Sequence, residues 1–133
     1  IGLNFYRSQS VESARSQLIE SLTKAKRNSI LMKDDSRYGV KISTLGGDLI
    51  SFTLYKGNSY SQVGRSNTYD EIYLLPPNMT ITANGTISTA SGDINFSKLY
   101  GEPSATGTVT ISHANGSEYR EVLIDSFGNA YEN

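Results

Sequence analysis

Hydrophobic positions follow two rhythms along this chain. From Ser10 to Met32 the spacing is helical. Val11, Ala14, Leu18, Leu22 and Ala25 recur at steps of three and four, which places them on one stripe, and Ile19 and Ile30 widen it. Glu12, Arg15, Glu20, Lys24 and Arg27 fall mostly on the other side. Glu20 and Lys24 stand four apart in the favoured order, an arrangement worth about 0.3 kcal/mol on an exposed helix. Asp34-Asp35-Ser36 and Gly39 close the segment. The pattern predicts an amphipathic helix laid on a sheet. Ile1, Leu3, Phe5 and Tyr6 are apolar and run into this helix with no cap in front. They create the expectation that the chain is the remainder of something longer, with an apolar part upstream.

After residue 38 the period falls to two. Val40–Ser43 reads as a short strand. In Leu49–Tyr55, residues Leu49, Ser51, Thr53 and Tyr55 alternate with Ile50, Phe52 and Leu54. Gly46-Gly47-Asp48 suits a hairpin turn between the two. Gly57–Asp70 reads as a polar loop carrying two tyrosines, and Glu71–Leu75 as a strand stopped by Pro76-Pro77. Met79–Ala83 and Thr86–Ser88 flank Asn84-Gly85, the strongest short hairpin signal in the chain. Ile94–Phe96 is a short strand. Thr108–Ser112 and Tyr119–Asp125 flank Asn115-Gly116 as a second hairpin, and Gly128 precedes a last strand near Ala130–Tyr131. One helix followed by many short strands predicts an α+β fold with the helix on antiparallel sheet. The expected organisation is a single domain over 1–133, with helix over 1–36 and a β-rich head over 38–133.

Composition sharpens this division. Ser, Thr and Asn make 40 of 133 residues, which suits a polar, turn-rich surface. Residues 1–38 hold one glycine and no proline; the rest hold 11 glycines and all three prolines. Residues 1–41 carry eight basic and four acidic side chains, net +4, and residues 42–133 carry four basic and nine acidic, net -5. With no cysteine and one histidine, a disulfide framework, a cysteine-held metal site and a histidine cluster are excluded. A net charge of -1 argues against binding of nucleic acid through bulk electrostatics.

Candidate chemistry is sparse. His113 falls at a strand end before a turn, where a solvated histidine is expected, and no G-x-S-x-G accompanies it. Asp34-Asp35 reads as a solvated helix end. Asp125, Asn129 and Glu132 bracket a turn and offer oxygen ligands to Ca²⁺, the weaker of two readings for that turn. Asn78, Asn84, Asn95 and Asn115 each begin an N-x-[ST] sequon. Tyrosines could line a sugar site, although half-buried strand tyrosines account for them more simply. No phosphate loop or dinucleotide fingerprint occurs, so neither cofactor nor catalytic residue is expected.

Three stretches together resemble a family. Val11–Ile30 is similar to the lower half of the long helix of type IV pilins and type II secretion pseudopilins. Ile94–Ile111, with its Phe96-Ser97, Gly101 and Gly107-Thr108-Val109, resembles a Phe-Ser…Gly…Gly-Thr-Val stretch of the GspH/FimT-type minor pseudopilins, and Tyr119–Ala130 resembles their closing strand, turn and strand. The cleavage signal, the Phe that follows it and the Glu five residues in are absent. So is the apolar run of about 20 residues that such a protein needs as its anchor. Ile1-Gly2-Leu3 resembles the tail of that run. The resemblance implies a non-enzymatic subunit of a type IV pilus or type II secretion pseudopilus. Its partners would be other pilin or pseudopilin subunits and an inner-membrane assembly platform. It would contact the membrane only through the missing N-terminal segment, and its place would be the cell envelope, then a periplasmic or extracellular filament. The charge division suggests a subunit contact in which Arg15, Lys24, Lys26 and Arg27 of the helix meet Asp70, Glu71, Asp93 or Glu102 of a neighbouring head. Such exposed pairs would set register more than affinity. The alternative is a surface or pilus-tip binding module for a sugar, or for DNA uptake. The DNA version would want clustered arginines where the body has only Arg65 and Arg120.

Overall fold

Every position of the predicted helical stripe is buried. Val11, Ala14, Leu18, Leu22 and Ala25 all have no exposed surface in the computed structural model, which describes residues 2–45, 49–87, 92–114 and 118–133. They lie on one helix, α1 (Gly2–Ile30). At 1.5 Å per residue it is about 44 Å long. Eight strands follow: β1 (Tyr38–Leu45), β2 (Leu49–Lys56), β3 (Glu71–Leu74), β4 (Met79–Ala83), β5 (Asp93–Phe96), β6 (Gly107–His113), β7 (Tyr119–Ile124) and β8 (Ala130–Glu132). They form two four-stranded antiparallel sheets in the orders β3-β2-β1-β5 and β4-β6-β7-β8, so the chain is α+β. Helix α1 touches β1, β2 and β5 of the first sheet and β6, β7 and β8 of the second. One stripe therefore closes both cores. Each leucine in it, once fully buried, contributes about 2 kcal/mol of hydrophobic stabilisation.

Helix α1 stops at Ile30, short of the expected boundary near Ser36. Met32 takes a left-handed conformation (φ 51°), and Asp34 and Asp35 follow with φ of 53° and 52° around a single 3-10 turn, Lys33–Asp35. Aspartates tolerate that region better than most residues. Ser29 completes the junction. Its buried hydroxyl accepts the Tyr38 N–H at 2.8 Å, tying the last helical turn to the start of β1. Two side-chain expectations for the helix fail. Ile30 lies beyond the buried stripe and is 37% exposed. Lys24 turns away from Glu20 toward the sheet, where it finds Glu71.

Strand β2 alternates as predicted, but both of its faces are buried. Ile50, Phe52 and Leu54 lie on one side; Ser51, Thr53 and Tyr55 lie on the other and are covered equally well. The sequence pattern of a half-exposed strand misses this; over Tyr55 the cover comes from Tyr60 and Arg65 of the irregular segment between β2 and β3. The β1–β2 ladder runs from Tyr38↔Lys56 to Leu45↔Leu49, and the β6–β7 ladder from Gly107↔Ile124 to Ser112↔Tyr119. The turn residues 46–48 and 115–117 themselves lie outside the described residues.

Asn84-Gly85 does not make the expected hairpin. Strand β4 pairs with β6, not with the residues after the turn. The chain keeps running beside β6: Thr108 N–H donates to Asn84 Oδ1 at 2.8 Å, and Thr106 N–H donates to Thr86 Oγ1 at 2.9 Å. Gly85 has φ of +71°, and a Cβ on it would collide with the Thr106 carbonyl. The Asn-Gly pair thus serves close backbone approach to β6, a different use of the same conformational freedom.

Candidate functional site

The eight charged residues expected at a subunit contact divide into two groups. Six are engaged within the chain. Lys24 Nζ sits 2.7 Å from Glu71 Oε2, joining α1 to β3. Arg15 reaches Glu12 on its own helix and Glu132 of β8 at 3.0 Å. Lys26 Nζ donates to Asn129 Oδ1 at 2.7 Å. Asp70 is held by Arg65, and Asp93 accepts the Tyr55 hydroxyl and the Tyr60 N–H. Two remain. Arg27 and Glu102 are exposed, and their side chains make no ion pair or hydrogen bond among the described residues. Two of these contacts, Lys24–Glu71 and Arg15–Glu132, join a helix cation to a head acid inside one molecule. Glu12 shows the electrostatic result: hydrogen bonds from Arg15 and then Arg120 hold its carboxyl below the usual 4.5. Lys98 does the same for Asp35 through a contact of 2.6 Å.

The segment between β2 and β3 is held down by a buried polar network. Arg65 lies over the rings of Tyr55 (5.3 Å) and Tyr60 (4.7 Å), and its guanidinium meets Asp70 at 2.7 and 3.2 Å. Each of these two charged side chains is only 9% exposed. Tyr55 and Tyr60 meet edge to face at 5.7 Å. Asn95 of β5 donates to the Tyr55 hydroxyl and the Gly57 carbonyl, both at 3.0 Å, while its Oδ1 is buried without a partner among the described residues. Burial first, then the hydrogen bond to Asp93, pushes the Tyr55 hydroxyl far above its ordinary value of 10. Gly39 makes room for this ring, since a Cβ there would come within 2.6 Å of the Tyr55 hydroxyl. Sequence reasoning missed the network. Its one legible trace is the run of Tyr60, Arg65 and Asp70 in an otherwise Ser/Asn-rich loop.

The remaining candidates are absorbed by local structure. His113 is buried at 9% exposure, which corrects the solvated histidine expected from its place beside a turn. The three oxygen donors near the C-terminus point to separate tasks. Asp125 Oδ1 accepts the N–H groups of Phe127 and Asn129, Asn129 Oδ1 takes Lys26, and Glu132 takes Arg15. Among the described residues no group of three acidic or histidine side chains could hold a metal ion. Asp34 lies 3.8 Å from Lys56 and accepts the Tyr38 hydroxyl. Of the sequons, Asn95 is sealed in the network above, Asn84 is exposed but bonded to Thr108, and Asn78 is exposed. A polar cleft of about 510 Å³ opens between the helix end and the start of the loop, lined by Asp35, Ser36, Arg37, Gly57, Asn58, Gln62 and Lys98. Arg37 Nε donates there to the Phe96 carbonyl. No helix among the described residues is long and apolar enough to cross a membrane. No family model, characterised protein or solved structure matches this chain.

Proposed function

We propose that the chain is the head and lower helix of a filament subunit of the type IV pilin and pseudopilin kind, with no enzymatic role. One observation carries the reading. A single N-terminal helix supplies the stripe that closes two antiparallel sheets, and it continues two turns ahead of Ser10 and Val11, the first of its described buried residues. A helix that closes both sheets of a head, and that begins before the first buried residue of its stripe, suits a subunit that joins its neighbours through that helix. The resemblance of Val11–Ile30, Ile94–Ile111 and Tyr119–Ala130 to the minor pseudopilins supports it. In this reading the apolar start at Ile1, Leu3, Phe5 and Tyr6 leads into a filament core, and the sheets coat the outside. Partner subunits, the membrane platform and the envelope location belong to the same proposal.

The coding sequence directly ahead of Ile1 tests it. A cleavable leader followed by about 20 apolar residues is the expected finding. An ordinary signal peptide cleaved just before Ile1 would overturn the reading. The second reading, a surface binding module, is favoured by the polar cleft beside Arg37, whose guanidinium has no acidic partner among the described residues.

A further inference from the structure

We propose that the end of the molecule around the C-terminus of α1 is a contact surface for a second copy of this chain, related by a two-fold axis. Three segments far apart in sequence meet there. The Leu99 N–H donates to the Ser29 carbonyl at 3.0 Å, which ties the turn after β5 to the helix end. Gly101 lies under Ile30, since a Cβ on it would meet Ile30 Cδ1 at 2.9 Å. The β7–β8 turn rests on Gly101 in its turn, because a Cβ on Gly128 would collide with the Gly101 carbonyl.

The junction leaves Ile30, Leu31, Met32, Leu99, Tyr100 and Phe127 exposed, with Leu31 at 69%, Tyr100 at 70% and Phe127 at 73%. Scattered apolar residues on a surface need no explanation, but six large ones gathered at one junction mark an interaction site. The fold does not need the side chains of Leu31, Tyr100 and Phe127. The Phe127 turn is set by backbone donors bonding to Asp125 and by Gly128, and the helix end is set by the left-handed Met32. Polar side chains at positions 31, 100 and 127 would serve the backbone equally well.

The charges beside the patch identify its occupant. Arg27 stands one helical turn before Leu31, whose N–H bonds to the Arg27 carbonyl at 2.9 Å, and Glu102 follows Gly101 directly. Both are exposed and unengaged among the described residues, whereas the other helix cations named above have partners. A lipid or nucleic-acid surface would call for cations alone. Lys33, next to Met32, is also exposed and unengaged among the described residues, but it lines a cleft with Asn28, Tyr38 and Tyr69. The unengaged anion Glu102 beside the unengaged cation Arg27, around one apolar centre, lets the surface complement itself. Under a two-fold rotation each Arg27 faces Glu102 of the other copy. Such a contact closes on itself and does not propagate. It is independent of the filament reading, and either can fail without the other.

Sedimentation velocity of this chain over about 1 µM to 1 mM tests it, a range that brackets weak self-association. A reversible dimer is expected. Tyr100→Ser combined with Phe127→Ser should weaken it by about tenfold or more, as truncation of central aromatic anchors does. Arg27→Glu alone and Glu102→Arg alone should each leave monomer, while an equimolar mixture of the two variants restores a 1:1 dimer. Circular dichroism of each variant should match the parent, because every altered side chain is exposed. A monomer throughout the range overturns the proposal, as does a dimer indifferent to the aromatic substitutions. Mixtures that grow beyond two chains would mean a head-to-tail contact and would also overturn it. So would capture of the monomer by phosphatidylcholine vesicles in a manner abolished by the serine substitutions.

Discussion

At the scale of single residues, the buried polar groups are where this chain departs most from what its pattern announces. Arg65 and Asp70 are nearly sealed from water, and each is neutralised only by the other and by the rings and carbonyls around them. Removing one partner strands the second in a poorly solvated place, which costs about 3 kcal/mol. Arg65→Met should therefore lower the unfolding free energy obtained from urea titration by that amount, whereas a change below about 1 kcal/mol would place the pair among ordinary surface contacts. Tyr55 makes a pH-dependent contribution. In the folded chain its hydroxyl keeps its proton well above pH 10, because burial and Asp93 disfavour the phenolate. The unfolded chain releases that proton near pH 10. Stability from this group is complete below about pH 10 and is lost as the pH rises further, since the unfolded state then binds fewer protons. Tyr55→Phe should lower stability at neutral pH by about 1 kcal/mol, the worth of a hydrogen bond. It should also make the decline in thermal midpoint above pH 10 shallower than in the parent. Tyr38, raised more weakly by burial and Asp34, would keep part of that decline. An alkaline decline identical in the two proteins would show that Tyr55 titrates normally.

At the scale of elements, α1 carries the architecture. Leu18 and Leu22 have no exposed surface and lie in the core shared by the two sheets, so a cavity opened there weakens both. Leu18→Ala should cost about 3 kcal/mol, in the range for a leucine truncated in a core that cannot collapse. The loss should be seen as one cooperative transition in calorimetry; two separate transitions would mean that the sheets fold independently of the helix. This helix was legible because its burial follows a single period from Val11 to Ala25. The hairpins β1–β2 and β6–β7 were legible for a similar reason, since each joins neighbours in sequence. The pairing of β4 with β6 was not. It depends on the crossing of a long connection, and the local Asn-Gly signal favours a tighter hairpin that the final sheet does not use. The two covered faces of β2 and the buried His113 were illegible on similar grounds, because what covers them comes from elsewhere in the chain.

At the scale of the whole molecule, part of the division into a basic front and an acidic body is taken up by contacts inside the chain. Lys24 meets Glu71 across 47 residues of sequence, Arg15 meets Glu132, and Glu12 meets Arg120. Residue type announced these charges, but only topology could pair them. Of the eight positions expected at a subunit contact, Arg27 and Glu102 have no partner among the described residues, and they flank the apolar end at the helix C-terminus. The self-contact proposed there is a second association, separate from any made through the start of α1. The filament reading rests on the one helix that closes both sheets, and electron cryo-microscopy of surface filaments from cells that make this protein tests it most directly. The account predicts a filament, labelled by antibody against this head, in which α1 runs unbroken from the sheets into a core of packed helices. Filaments that never contain the head, with the protein recovered only outside them, would contradict it.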